Sequence, residues 1–217
     1  MPQTAVMPAK QPLPEQVVIK APNFKVLGLK CNCTSPYVQL RFGEKARNEM
    51  REKMAKGDQA KKGKKRTVRN YDQEFIAAQY RTEEGWGGIP ASAFRNAAIS
   101  ACRTVGFAMT KAKLSIFILA DGFDETDGTP LVKISGKPEK YEAPVRNSTG
   151  VADIRVRAMW RSWSVTVRVR FDADQFSAED IVNLFARIGM QVGVGEGRPD
   201  SKDSCGMGFG LFEVQAG

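Results

Sequence analysis

"ADIRVRAMWRSWSVTVRVRFD", residues 152–172, alternates apolar and polar side chains twice over. Ile154, Val156 and Ala158 are interleaved with Arg155 and Arg157, and Val165, Val167, Val169 and Phe171 with Thr166, Arg168 and Arg170. A period of two marks a half-buried strand, because successive side chains point to opposite faces. The stretch therefore predicts two strands about a turn near Arg161–Ser162, with one apolar face and one face of arginines. Arginines on neighbouring strands repel unless an anion or a carboxylate lies over them. Arg168 and Arg170 are accordingly candidate contacts for an anionic partner, with neutralisation by local carboxylates as the alternative.

Downstream, "SAEDIVNLFARIGM" (177–190) reads as a helix. Ser177 is its cap, Glu179 and Asp180 suit the positive end of the helix dipole, and Ile181, Leu184, Phe185 and Ile188 form one apolar face. "VGVGEGRPDSKDSCGMGFGLFEV" (192–214) follows, a glycine-rich loop running into an apolar last strand over Gly210–Gln215. Glycine loses the most conformational entropy on folding, so such a cluster implies tight turns or close approach of backbone to something.

Upstream, Leu114–Ala120 in "KLSIFILADGF" predicts a buried strand. The acidic turn "GFDETDGT" lacks the spacing and closing glutamate of a calcium loop, so no metal is expected there. In "GIPASAFRNAAISACRTVGF" (88–107), Pro90 suits a first helical turn and Ser92 is read as the cap. Phe94, Ala97, Ala98, Ala101 and Val105 share a face, and Gly106 stops the helix. Phe24–Leu29 reads as a strand, and "CNCTSPYVQL" (31–40) as a loop leading into another extended piece.

Between these lies charged sequence. "EKARNEMREKMAK" (44–56) has helical charge spacing with a thin stripe of Ala46, Met50 and Met54. "KGDQAKKGKKRTVRN" (56–70) carries too few apolar side chains to bury a core. It reads either as a solvated loop or as an arm whose Lys61, Lys62, Lys64, Lys65 and Arg66 neutralise phosphates.

The order is strand, helix, strand, two strands, helix, glycine-rich loop, strand. It predicts an α+β fold with a ferredoxin-like (βαββαβ, RRM-type) core, an inserted basic arm at about 44–80, and the C-terminal glycine-rich loop. One domain over 17–217 is expected after a loose N-terminal tail, 1–16. Helices on one sheet face would leave the other open, a common platform for single-stranded nucleic acid.

The whole-chain totals agree. The chain has 217 residues, of which 42% are hydrophobic, which suits a globular core and excludes wholesale disorder. Its formal charge of +9 favours a polyanionic partner. No run of about 18 apolar residues exists, so no membrane contact is expected. The first residues have no apolar core of the secretory kind, and Cys31, Cys33, Cys102 and Cys205 are read as reduced thiols of a cytoplasmic protein. Histidine is absent. That removes Ser-His-Asp and Cys-His catalysis and, with the cysteines scattered, a structural zinc site. Neither catalysis, cofactor nor metal is expected.

Two stretches resemble a known family. "GIPASAFRNAAISA" (Gly88–Ala101) resembles the I-P-G-S-S-[FL]-[RK]-x-A start of a helix in RAMP-superfamily proteins, in particular the backbone subunits of CRISPR effector complexes. The 192–214 stretch resembles that superfamily's G-rich loop, and the chain is also similar to phage-encoded proteins that look like such subunits. By motif and element order the resemblance covers about half of the chain. It implies RNA bound along its backbone and side-by-side assembly into filaments, the basic arm lying over a neighbour as a thumb. It implies phosphate contacts at Pro90, Ser92, Arg95 and Asn96, and in the loop at Gly193, Gly195, Arg198, Lys202, Gly206 and Gly208.

The departures are specific. Ala91 stands where the family has glycine, and Glu196, Asp200 and Asp203 oppose phosphate, which leaves a packing role open for the loop. Some family members cut RNA with an aspartate in the loop after the first strand, but Cys31–Phe42 contains no acid, so the resemblance carries no nuclease. The resulting expectation is a non-catalytic binder of single-stranded RNA or DNA that forms homo-oligomers, in a bacterial host's cytoplasm if phage-encoded. The alternative is a protein-interaction module that mimics or displaces a CRISPR backbone subunit. Trp86 and Phe209 are candidates for base stacking, with core packing the favoured alternative.

Overall fold

β1 (Phe24–Cys33) is the spine of the larger sheet. β9 (Ser164–Asp172) lies antiparallel along one side of it and β10 (Phe212–Gln215) along the other. The far edge of β9 is shared by two short strands. β4 (Ile116–Leu119) pairs with residues 168–171, and β6 (Pro130–Ser135) with residues 164–165. β3 (Gly88–Pro90) and β5 (Gly122–Phe123) pair with β6 and complete a seven-stranded antiparallel sheet. A second sheet has three strands in the order β2 (Tyr37–Gln39), β8 (Ala152–Trp160), β7 (Glu139–Arg146). These strands come from a computed structural model that describes residues 19–41, 48, 51, 54–55, 69–146, 152–201 and 206–215.

The described helices are α1 (Tyr71–Ala77), α2 (Ala91–Thr104), α3 (Met109–Ser115) and α4 (Ala178–Arg187), the last continuing as a π-helical turn over Ile188–Val192. The fold is mixed α+β. No described helix is long and apolar enough to cross a membrane.

The core follows from the alternation. Leu29 and Cys31 of β1 and Val165, Val167, Val169 and Phe171 of β9 are buried against Phe94, Ala97, Ala98 and Ala101 of α2 and Ile181, Leu184 and Phe185 of α4. Each large side chain so buried contributes roughly 1.5–3 kcal/mol. The alanines keep α2 close to the sheet. Ser177 and Asp180 close a reciprocal capping box on α4, satisfying two amides at its start. The intervening positions Phe24, Val26, Gly28 and Lys30 of β1 and Thr166, Arg168 and Arg170 of β9 are exposed on the face away from these helices.

Several expectations are corrected. The strands of 152–172 form on either side of their turn but do not pair. Both edges of β9 are taken, by β1 on one side and by β4 and β6 on the other, so β8 joins the second sheet beside β2 and β7. Trp160 and Trp163, both buried, anchor the divergence. Arg155 and Arg157 therefore never face Arg168 and Arg170, and the expected cross-strand repulsion does not arise. β4 is shorter than Leu114–Ala120 because 109–115 is helical, and Leu114 is 74% exposed. Val105 is exposed instead of joining the apolar face of α2. Pro90 occupies the cap position of α2 and Ser92 lies within the first turn, without capping it.

The 1–16 tail and the arm residues Lys61, Lys62, Lys64, Lys65 and Arg66 lie outside the described residues, as does Lys202. Of 44–56, the described Asn48, Arg51, Met54 and Ala55 are helical and exposed.

Candidate nucleic-acid interface

The start of α2 and the glycine-rich loop are about a hundred residues apart in sequence and line one cleft, of about 830 Å³. β2 forms part of its wall. The buried Gln39 of β2 fixes that wall: its Nε2 donates to the Tyr37 hydroxyl and the Gly88 carbonyl, both at 2.9 Å, and its Oε1 accepts from the Tyr80 amide. Burial pushes the Tyr37 hydroxyl well above the ordinary tyrosine pKa, so this phenol stays protonated.

The loop is shaped by backbone hydrogen bonds. The Glu196 amide donates to the Val38 carbonyl at 2.9 Å, the Gly210 amide to Pro36 at 2.7 Å, and the Val194 amide to Gly210 at 3.0 Å. Six of its glycines have positive φ. The requirement is clearest at Gly195, with φ +84° and the Tyr37 ring and Val38 carbonyl where a Cβ would stand, and at Gly210, where a Cβ would run into the Val194 carbonyl. The stretch is a folded turn clamped to β2.

Ser92 and Asn96 lie exposed on the cleft wall formed by α2. Pro90 provides no side-chain cap at the start of α2, and no other described side chain does. The first-turn amides of α2 and the positive end of its dipole are therefore offered to the cleft, an arrangement suited to an anion. Across the cleft stand Gly195 and Arg198, the latter donating to the Gly195 carbonyl at 3.0 Å. Lys113 of α3 adds a further cation.

The described acids of the loop are answered internally. Glu196 pairs with Arg157 of β8 at 2.5 Å. Asp200 accepts from the Ser100 hydroxyl and pairs with Arg103 at 3.3 Å, tying the loop to the outer turn of α2. Their charges are thus largely spent inside the molecule. Asp203 lies outside the described residues.

The candidate contacts do not form one groove. Ser92, Asn96, Gly195 and Arg198 come together in the cleft, while Gly193, Gly206 and Gly208 shape the loop behind it. Arg95 is absent from the lining. It donates to the carbonyls of Lys113 and Ile116, so it caps the end of α3 and orients the Phe117 ring, 4.8 Å from its guanidinium. Arg168 and Arg170 are on the exposed sheet face, on the other side of β9 from α2 and α4. Where the basic arm rejoins the described chain, Arg69 grips Glu74 and Asp153, anchoring the arm's base to β8.

The two stacking candidates are packed. Trp86 covers Gly122 and donates to Glu84 at 3.0 Å, and Phe209 lies on Gly197, edge-on to Tyr141. Cys31 and Cys102 are buried, and desolvation pushes the Cys31 thiol up to about 12. No group of potential metal ligands occurs among the described residues. No protein-family model matches the sequence, and a search of curated proteins finds no match.

The sequence reading missed Lys113, which it left just before a strand, and the burial of Arg157, which it placed on a face of arginines. The only signal for Arg157 is the run Ala158–Trp160 beside it, which marks the end of β8 as buried.

Proposed function

We propose that this protein is a non-catalytic single-stranded nucleic-acid-binding protein of RAMP-like type, assembling side by side along RNA or single-stranded DNA. The observation that carries the reading is the cleft. The two stretches that resemble the superfamily meet there, with uncapped helix amides, Ser92, Asn96, Arg198 and Lys113 on its walls and both described loop acids already paired. A phosphate backbone is the ligand that such amides and cations suit.

Element order supports the ferredoxin-like part of the reading. β1, α2, β4, β9, α4 and β10 follow one another along the chain as β-α-β-β-α-β, and β10, β1, β9 and β4 are successive neighbours in the sheet. On this reading α1, α3 and the remaining strands are insertions, and the basic arm leaves the core between β2 and α1. The net charge of +9 supports a polyanionic partner, and the lack of histidine suits binding without chemistry.

The test is fluorescence anisotropy with labelled single-stranded RNA and DNA at two salt concentrations, beside size-exclusion with oligonucleotides of increasing length. Binding that weakens with salt, with protein bound in proportion to length, is expected. Failure to bind either strand at low salt overturns the proposal.

A further inference from the structure

The open face of the larger sheet carries a second arrangement, separate from the cleft. At one end, Phe24 is 39% exposed and Val26 57% exposed. The Arg170 guanidinium lies 5.1 Å from the Phe24 ring centroid and 4.8 Å from that of Phe117. Among the described residues no carboxylate pairs with Arg170; its contacts are these rings. At the other end, Lys30, Lys133 and Arg168 surround a shallow depression of about 420 Å³ with one carboxylate, Asp121. That carboxylate is committed, to Arg168 at 3.0 Å and to the Lys133 amide at 2.9 Å. The depression therefore holds three cations against one acid.

Gly28 lies between the two ends, opposite Arg168 in the β1–β9 register. Among the described residues nothing stands within 4 Å of where its Cβ would be, and its φ is not positive. Neither packing nor backbone conformation demands glycine there. What it creates is a bare stretch of strand, of the kind found where a ligand approaches backbone closely. From Phe24 to Lys30 the strand runs about 20 Å at roughly 3.3 Å per residue.

We propose that this face binds a short tract of single-stranded nucleic acid, with bases stacking on Phe24 and Arg170 and phosphates held by Lys30, Lys133 and Arg168. The proposal rests on the reading of the partner as single-stranded nucleic acid and adds a second contact surface to the cleft. A ring, a guanidinium plane and flanking cations match the alternation of base and phosphate along such a strand. A second copy of the same face fits poorly, since two-fold pairing sets cations against cations.

The test uses the full chain and single-stranded DNA carrying 2-aminopurine, read by quenching and by anisotropy, with thermal melting of each variant as a control for folding. Phe24→Leu is expected to abolish most quenching and weaken binding about ten-fold. Lys30→Gln with Lys133→Gln, both surface changes, should lower the salt slope by about 1 to 2. Ser92→Asp marks the cleft. If only Ser92→Asp weakens binding, the nucleic-acid reading stands and the sheet-face proposal is overturned. If the unaltered protein binds no oligonucleotide, both fall together. Unquenched binding that polyglutamate competes away also overturns the sheet-face proposal, in favour of an acidic protein partner.

Discussion

Glu196 and Arg157 meet at 2.5 Å where the glycine-rich loop crosses the second sheet. The arginine side chain is 4% exposed and the glutamate 39%. The pair neutralises an arginine that has little access to water, and in doing so holds the loop against β8. Removing the carboxylate leaves a buried guanidinium unpaired, a costlier outcome than losing a surface ion pair. Glu196→Ala is therefore expected to lose about 1–3 kcal/mol. Scanning calorimetry should show this as a fall in Tm of roughly 2–4 °C per kcal/mol for a chain of this size. Glu196→Gln, which keeps an acceptor, should lose less. An alanine variant that melts with the unaltered protein would show that the loop is held by other means.

The glycines of the loop are not equivalent. Gly195 combines φ +84° with the Tyr37 ring and Val38 carbonyl at the Cβ position, whereas Gly208 has φ +75° and no described atom within 4 Å of that position. Gly195→Ala carries both backbone strain and overpacking, and should destabilise by about 2–4 kcal/mol. Gly208→Ala carries only the backbone term, about 1 kcal/mol. Urea titrations of the two variants give the comparison, and equal losses would contradict the packing of Gly195 against β2.

Cys31 makes stability fall in alkali. Burial raises its folded pKa to about 12 from an ordinary 9.0. Above pH 9 the unfolded chain releases this proton while the folded chain keeps it. The unfolded state then binds fewer protons, so stability is complete below pH 9 and declines as pH rises towards 12. Between pH 8 and pH 10 the loss should be about 1 kcal/mol. Cys31→Ala should flatten that slope while lowering stability at every pH. A variant that retains the full slope would assign it to other groups, Tyr37 first among them.

Ser92→Asp should move stability and affinity in opposite directions. A carboxylate in the first turn of α2 suits the helix dipole and should add roughly 0.3–1 kcal/mol at low salt. The same charge faces the cleft and should weaken oligonucleotide binding several-fold, because it meets phosphate where uncapped amides stood. Thermal melting and anisotropy on one preparation measure both. Unchanged affinity would remove the start of α2 from the interface.

The elements were legible because local physics decides them. The alternation over 164–172 marks β9, and Ser177 with Asp180 marks the start of α4, through side chains only a few residues apart. What the sequence concealed depends on distant partners. The parting of β8 from β9 follows from β1, β4 and β6 having taken both edges of β9, and nothing in 152–172 records that. Arg157 looked solvent-facing because its acid lies in the distant glycine-rich loop. Arg95 looked like a phosphate ligand through the family resemblance, and the carbonyls it meets, of Lys113 and Ile116, lie at the end of a helix that the sequence reading did not foresee. At the cleft, the two motifs were visible singly. Their meeting was visible only through the family resemblance, since no periodicity links residue 92 to residue 195.

The position of β1 between β9 and β10 has a consequence for biosynthesis. During translation this strand emerges long before either partner, and its backbone donors and acceptors remain unpaired until β9 and then, along Lys30–Cys33, β10 are made. Such long-range pairing slows folding and prolongs the time for which a sticky ribbon, with Leu27 and Leu29 at its centre, is open to mispairing with other chains. Loss of β10 alone would leave Lys30–Cys33 of β1 bare on one side. The nascent chain is therefore most open to mispairing along Lys30–Cys33 in the interval between the synthesis of β9 and that of β10.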